Sequence, residues 1–298
     1  KNYQLYSKKK NNDNWGTVAL IGKRTKNSYF KNVIFDGGSG FVKEYLDQKD
    51  NDYYSIGNLR LISALAIHNS DNIYLNNILI KNNKKYDDAL HVVYSNNIMI
   101  DDLKIDDAFS DAIDIDMSEN IFLDNIEISN SKNDAIDLME STVIIENSQF
   151  NGSKDKGISV GENSFLILKD SKIANNKIGV ATKDSSYTFA NNVVFDDNIF
   201  HIENYKKNWR YGDGGISVIH NSNFIINNKN NKNYLSQYKS IKSDELSSVK
   251  VVNSKIKNIF FEKNIISKKN EEIHLKRISD INISKIYDDF TRNISFKN

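Results

Sequence analysis

The 298-residue sequence contains no cysteine and no proline. Without cysteine there are no disulfides and no thiolate metal sites, and the redox compartment stays open. Average usage of about 5% would supply roughly 15 prolines. Their lack, beside abundant Asn, Lys and Ile, fits an A/T-rich coding sequence as well as any structural demand. No run of about 18 apolar residues occurs, so nothing reads as a membrane-spanning helix. An excess of one charge is missing too: 40 Lys and Arg stand against 39 Asp and Glu. The balance gives nucleic acid or a membrane surface no overall field to respond to. No charged, apolar and small-residue leader opens the chain, which begins KNYQLYSKKK like a mature or trimmed start. Phosphate-loop, nucleophile-elbow and zinc signatures are also missing. GKRTKNS at 22–28 lacks spaced glycines and reads as a turn.

What is present is a repeat. SDAIDID, from Ser110, returns as NDAIDLM from Asn133, 23 residues later. Starting coils at Ala66, Ala89, Ala112, Ala135, Gly157 and Gly179 gives steps of 23, 23, 23, 22 and 22. Each coil alternates apolar residues, turns at a Ser, alternates Ile, Val or Phe again and ends in Asn or Asp. Period-2 alternation marks strands with one buried face, and Asn, Asp, Ser and Gly clusters mark turns. A fixed short period holding several strands signals a solenoid. Leucine-rich repeats share that period, but their leucine and asparagine signature and helical spacing are lacking. The fold expected is all-β: a single-stranded right-handed parallel β-helix of about 22–23 residues per coil, regular from about Val18 to Phe224. One inward column runs Ile67, Leu90, Ile113, Ile136, Ile158, Val180, and another Val92, Ile115, Leu138, Val160. Asn77 and Asn125 are expected in stacked amide ladders at turns. The β-helix domain is drawn at 1–227, with insertions near 41–60 and 201–214, and less regular C-terminal coils and a cap at 228–298.

Function would lie on the outward positions. One column carries Asp88, Asp111, Asp134 and Lys156, the next His91, Asp114, Asp137 and Ser159, and a third Val93, Asp116, Met139, Gly161 and Lys183. Like charges roughly 4.8 Å apart on neighbouring strands repel and raise one another's pKa unless a cation compensates. Three readings follow. The aspartates are turn residues bonding backbone amides; or Asp88, Asp111, Asp114, Asp134 and Asp137 hold a hard cation such as Ca2+; or Asp111, Asp134, Lys156 and Lys183 do acid–base work. His91 and Asp116, with Tyr205, Trp209 and Tyr211 as flat platforms for sugar faces, are candidate substrate contacts. Trp15 and Tyr187 are further aromatic candidates. His68, His201, His220 and His274 show no metal-ligand spacing and take ordinary roles.

The phrases WGTVALIG, NVIFDGGSG, DDAL, SDAIDID, NDAIDL, DKGISVGENS, IGVATKDSS and YKKNWRYGDGG, in that order, carry a resemblance. They resemble bacterial right-handed β-helix repeat domains found beside spore-coat-H-like kinase domains, which implies an extracytoplasmic, surface or polysaccharide-associated module. More distantly, the chain is similar to polygalacturonase-type glycoside hydrolases. Their strand motifs map SDAIDI to Asp111, NDAIDL to Asp134, DKGISVG to Lys156 and GVATK to Lys183. Asn133 stands where that family has an acid, Lys156 where it has a histidine and Ala181 where it has an arginine. Inverting hydrolysis needs an acid and a base across the bond, and Asn133 does not donate that proton. The expectation is therefore an extracellular, periplasmic or cell-surface module that binds polysaccharide along its outward face. If active, it is a divergent hydrolase, or a lyase with Lys156 or Lys183 as base. The competing class is a structural rod, adhesin, sheath or spike, whose oligomeric state the sequence leaves open.

Overall fold

A computed structural model describes residues 15–40, 61–226 and 240–257, with the strands Tyr3–Tyr6, Ser55–Ile56, Leu59–Arg60 and Ile266–Lys268. Every ladder of the stack is parallel, and the chain winds as a right-handed solenoid. One wall is a nine-stranded sheet of short strands. Its members include Leu65–His68, Leu90–Val93, Ile113–Asp116, Ile136–Met139, Lys156–Gly161, Ile178–Lys183 and Phe200–Tyr205. The rest of each coil begins as one long strand, such as Asn96–Asp106 or Glu119–Ser129. From the next coil on it is broken in two, as Thr142–Glu146 and Gln149–Asn151.

Two local devices turn the chain. Asparagine takes the left-handed corner positions, where its short side chain tolerates positive φ. At one corner Asn27, Asn72, Asn97 and Asn120 have φ of 63, 56, 57 and 56°. Their amides form a ladder in a column other than that of Asn77 and Asn125: Asn72 donates to Asn27, Asn97 to Asn72 and Asn120 to Asn97, at 3.0, 3.0 and 3.3 Å. Asn77 donates to Asn32 at 2.6 Å, while Asp102 stands between Asn77 and Asn125 in that column. The second device is a buried serine file. Ser70, Ser95, Ser118, Ser141 and Ser164 each donate the backbone amide to the hydroxyl of the next serine, ending at Ser186, at 3.0–3.1 Å. A turn amide that points along the axis thus finds an acceptor one coil away, as a buried donor must.

The inward columns hold with one correction. Leu65, not Ile67, pairs with Leu90, and Ile67 pairs with Val92. The step there is 25 residues, because the turn KNNKKYDDA at 81–89 carries two more residues than its successor. The small residue opening that coil is accordingly Ala64. Below, Leu90, Ile113, Ile136, Ile158 and Val180 stack as expected. From Ala64 to Gly179 the corner before this column holds only Ala or Gly, and a Cβ on Gly157 would lie 2.6 Å from the Gly179 carbonyl oxygen; His201 ends that run. Phe35, Phe150, Phe195 and Phe224 fill the wider part of the core. A separate apolar cluster, Phe122, Ile144 and Ile167 with Met99, Phe165 and Phe189, lies on the outer side of the long-strand wall.

The expected insertion at 201–214 starts as an ordinary strand, Phe200–Tyr205, paired with Ile178–Lys183. The departing loop is therefore 206–214. Most of 41–60 and the cap from Ser267 lie outside the described residues. Beyond the expected boundary at 227, Ile241–Ser243 and Ser248–Val252 add to the same two walls.

Candidate functional site

The three outward columns form on the short-strand wall. Register pairs His91 with Asp114, Asp114 with Asp137 and Asp137 with Ser159, and pairs Val93, Asp116, Met139 and Gly161 in the next column. Lys183 pairs in turn with Tyr205. The first column is nearly closed to solvent: Asp88, Asp111 and Asp134 are 2, 9 and 2% exposed.

That first column does the work of the turn reading and something more. Asp111 Oδ1 accepts from the Asp134 amide at 2.7 Å and from Asn133 Nδ2 at 2.8 Å. Asp134 Oδ1 accepts from the Lys156 amide at 2.8 Å, and its carboxylate lies 3.3 Å from Lys156 Nζ. Lys156 Nζ also meets Asp155, which Lys177 reaches from the other side at 2.9 Å. Such bonds favour the anion, yet burial and crowding prevail. Burial first, and then Asp134 and Asp137, push the Asp111 carboxyl up to about 7. Burial and Asp137 push Asp134 up to about 6, against the pull of Lys156. Asp88 and Asp114 stand well above the ordinary carboxylate range, through burial and neighbouring aspartates.

The lysines point the other way. Burial alone would lower them, but Asp134 and Asp155 hold Lys156, and Asp137 and Glu162 hold Lys183, above the ordinary lysine range. Lys183 is 4% exposed and its Nζ is 3.9 Å from Asp137 Oδ1. Its stem lies over Gly161, where any Cβ would collide with it. Two ammonium groups that keep their protons are suited to anion recognition. The surrounding carboxylates stabilise the charged form of both lysines.

Of the aromatic candidates, Tyr205 joins the patch beside Lys183, and burial raises its hydroxyl pKa. Tyr211 hydrogen-bonds Glu140 at 3.1 Å and so ties the 206–214 loop to the coil corner. Burial and Glu140 push its hydroxyl up to about 12. Trp209 stands in solvent at 83% exposure with the Arg210 guanidinium over its ring. His91 Nε2 lies 3.6 Å from both Asp114 and Asp116, and its ring meets His68 edge-on at 4.9 Å. Trp15 is half-buried and packs against the core, donating to the Asp36 carbonyl at 2.6 Å.

Sequence reasoning missed a fourth column. Glu140, Glu162 and Asp184 occupy the left-handed corner one residue beyond the strand, with φ of 47, 53 and 53°. Asp184 Oδ1 receives the Lys207 and Asn208 amides at 2.7 Å each and anchors the loop. Extending the columns by one residue would have found them.

These features define a parallel β-solenoid with an acid and lysine patch on its short-strand wall. The model for the right-handed β-helix region matches residues 23–194 and 63–231, and the chain belongs to that family. No curated protein sequence matches it. Among solved structures it is similar to pectate lyase Pel9A, at 10% identity and TM-score 0.57 over 89% of this chain and 68% of that one. It is similar to the family 28 exopolygalacturonase of Yersinia enterocolitica, at 14% and 0.51 over 85% and 58%. Tailspike protein 2 of bacteriophage CBA120 follows at 12% and 0.51, over 76% of this chain and 41% of that one. The chain thus spans under two thirds of the tailspike and of the exopolygalacturonase. These likenesses establish a fold shared by polysaccharide-acting enzymes and tailspikes. Among the described residues no helix is long and apolar enough to cross a membrane.

Proposed function

We propose that the protein binds a uronate-bearing polysaccharide along the outward face of its short-strand wall, at the cell surface or outside the cytoplasm. One observation carries the reading: a buried lysine, Lys183, and a half-buried one, Lys156, share a face with carboxylate oxygens that lack a hydrogen-bond partner, Asp88 Oδ2 and Asp137 Oδ1. Buried polar groups are left unpaired at a cost unless something completes them. Sugar carboxylates suit Lys156 and Lys183, hydroxyls suit the aspartates, and Tyr205 and Trp209 offer flat faces. The resemblance of the sequence phrases to repeat domains beside spore-coat-H-like kinases supports the extracytoplasmic setting. The names of the pectate lyase and the exopolygalacturonase support the substrate class.

Ca2+ suits the all-carboxylate part of the patch, because Asp137 lies beside Asp111, Asp114 and Asp134, and its Oδ1, ion-paired with Lys183, accepts no hydrogen bond. Held there, it would screen the aspartates from one another and accept a sugar carboxylate. Asp111 and Asp134, with pKa values near neutrality, are the groups suited to carry protons if the bound polymer is cleaved.

A glycan array with and without Ca2+ tests the binding. Uronate polymers should be retained, and Lys183→Gln should weaken them by about 10-fold, the scale of one charge-assisted contact. The same polymers, followed in the ultraviolet for unsaturated product, report any lyase activity. A folded chain that binds no glycan, and that runs as a stable trimer or fibre, would replace this reading with the structural rod.

A further inference from the structure

We propose that Asp88, His91 and Asp114 form a binding site for a divalent first-row transition-metal ion, Zn2+ or one of its class, at one end of the patch. One donor atom from each residue lies within 4.8 Å of the other two. Register produces the grouping: His91 faces Asp114 across adjacent coils, and Asp88 sits three residues before His91 at the turn that feeds the strand.

Neighbouring carboxylates alone do not make a site. The unpartnered donors around His91 do more. Asp88 and His91 are 2 and 8% exposed, yet Asp88 Oδ2 and both His91 nitrogens have no hydrogen-bond partner among the described residues. Leaving three such atoms buried together is costly. His91 Nε2 stands 3.6 Å from Asp114 Oδ2 and 3.6 Å from Asp116 Oδ2. That is too long for a hydrogen bond. It is close to the ~3.4 Å edge between two ligands of a tetrahedral ion bound at ~2.1 Å.

The donor set selects the ion. Calcium is served by six to eight oxygens, whereas an imidazole nitrogen with carboxylates suits zinc and its neighbours in the first row. A doubly charged ion here also offsets the repulsion among Asp88, Asp111, Asp114 and Asp116. The inference concerns the same patch as the glycan reading but is tested with no sugar present, so either fails without the other.

The test uses the full chain without a tag, stripped by chelator, titrated with Zn2+ by calorimetry and with Co2+ by visible absorption. We expect one equivalent of either ion, cobalt ligand-field bands of nitrogen and oxygen coordination, and no displacement by a hundredfold excess of Ca2+. His91→Gln should weaken Zn2+ by about 10-fold or more, with unchanged far-ultraviolet circular dichroism. Asp114→Asn should do the same, and it carries the test if His91→Gln does not fold. His220→Gln, at a partly exposed histidine in another coil, should leave binding intact. The proposal is overturned if the folded wild type takes up neither ion, if His91→Gln binds as well as wild type, or if equimolar Ca2+ displaces Zn2+.

Discussion

Asp111 is subject to two opposed demands. The Asp134 amide and Asn133 Nδ2 favour its anion, while burial beside Asp134 and Asp137 favours its acid and holds it at about 7. A folded-state pKa above the unfolded value means that its stabilising contribution is complete below pH ~3.8 and lost as pH rises through ~7. Three units correspond to ~4 kcal/mol as an upper bound. Thermal melts of chelated protein should therefore show stability falling between pH 5 and 8, and Asp111→Asn should flatten that slope. His201 has the reverse sign. Burial against Phe195 and Phe224 lowers it to about 4. Its contribution is present above pH ~6.5 and is lost on acidification through ~4, worth ~3 kcal/mol. His201→Leu should remove that acid limb in urea titrations at pH 4 and 7; an unchanged limb would refute the assignment. The aspartate columns were legible because a 23-residue interval stacks like on like. The buried state of His201 was not, since His201 stacks on Gly179 in the corner column that Ala and Gly fill in the coils before it, outside the alternation of its strand.

Turns hold this fold together as much as strands do. Ser118 takes the Ser95 amide and gives its own amide to Ser141, in a column closed to water. Ser118→Ala strands the Ser95 amide and should cost ~1–3 kcal/mol, read as a lower urea midpoint with an unchanged slope. Asn97 holds a left-handed φ of 57°. Asn97→Ala should cost ~1–2 kcal/mol and Asn97→Gly less, because only the former adds a Cβ penalty. Serine and asparagine at these places were readable as turn chemistry from the sequence. The register of the first full coil was not. Two extra residues in the turn at 81–89 move Leu65 into the place assigned to Ile67, and a two-residue slip leaves every inward residue inward. Alternation is blind to even shifts. The corner column of Glu140, Glu162 and Asp184 escaped for a related reason, since left-handed residues stand outside the strand pattern that located the others.

The whole molecule is a stack in which each coil touches chiefly its neighbours, so stability is expected to sum over coils and interfaces. An ion bound to one face of that stack stabilises it by mass action, about 2.7 kcal/mol at a hundredfold excess over Kd. Adding Zn2+ to stripped protein should raise the melting temperature, and the rise should vanish in His91→Gln. The same stacking has a mechanical meaning. The wall ladders and the serine and asparagine files direct their inter-coil hydrogen bonds along the solenoid axis, so a pull on the two ends of the rod loads them one layer at a time. Force applied across the axis would instead shear many bonds together. A single-molecule trace along the axis should be a regular sawtooth. Over the coils between Leu65 and Tyr205 each tooth should release 22–25 residues, a gain of roughly 80 Å of contour at ~3.4 Å per residue. The end coils, with register steps of 47 residues from Val18 to Leu65 and 39 from Ile202 to Ile241, should give longer teeth. A rod with these bonds resists bending and tearing sideways far better than being unwound from its tip.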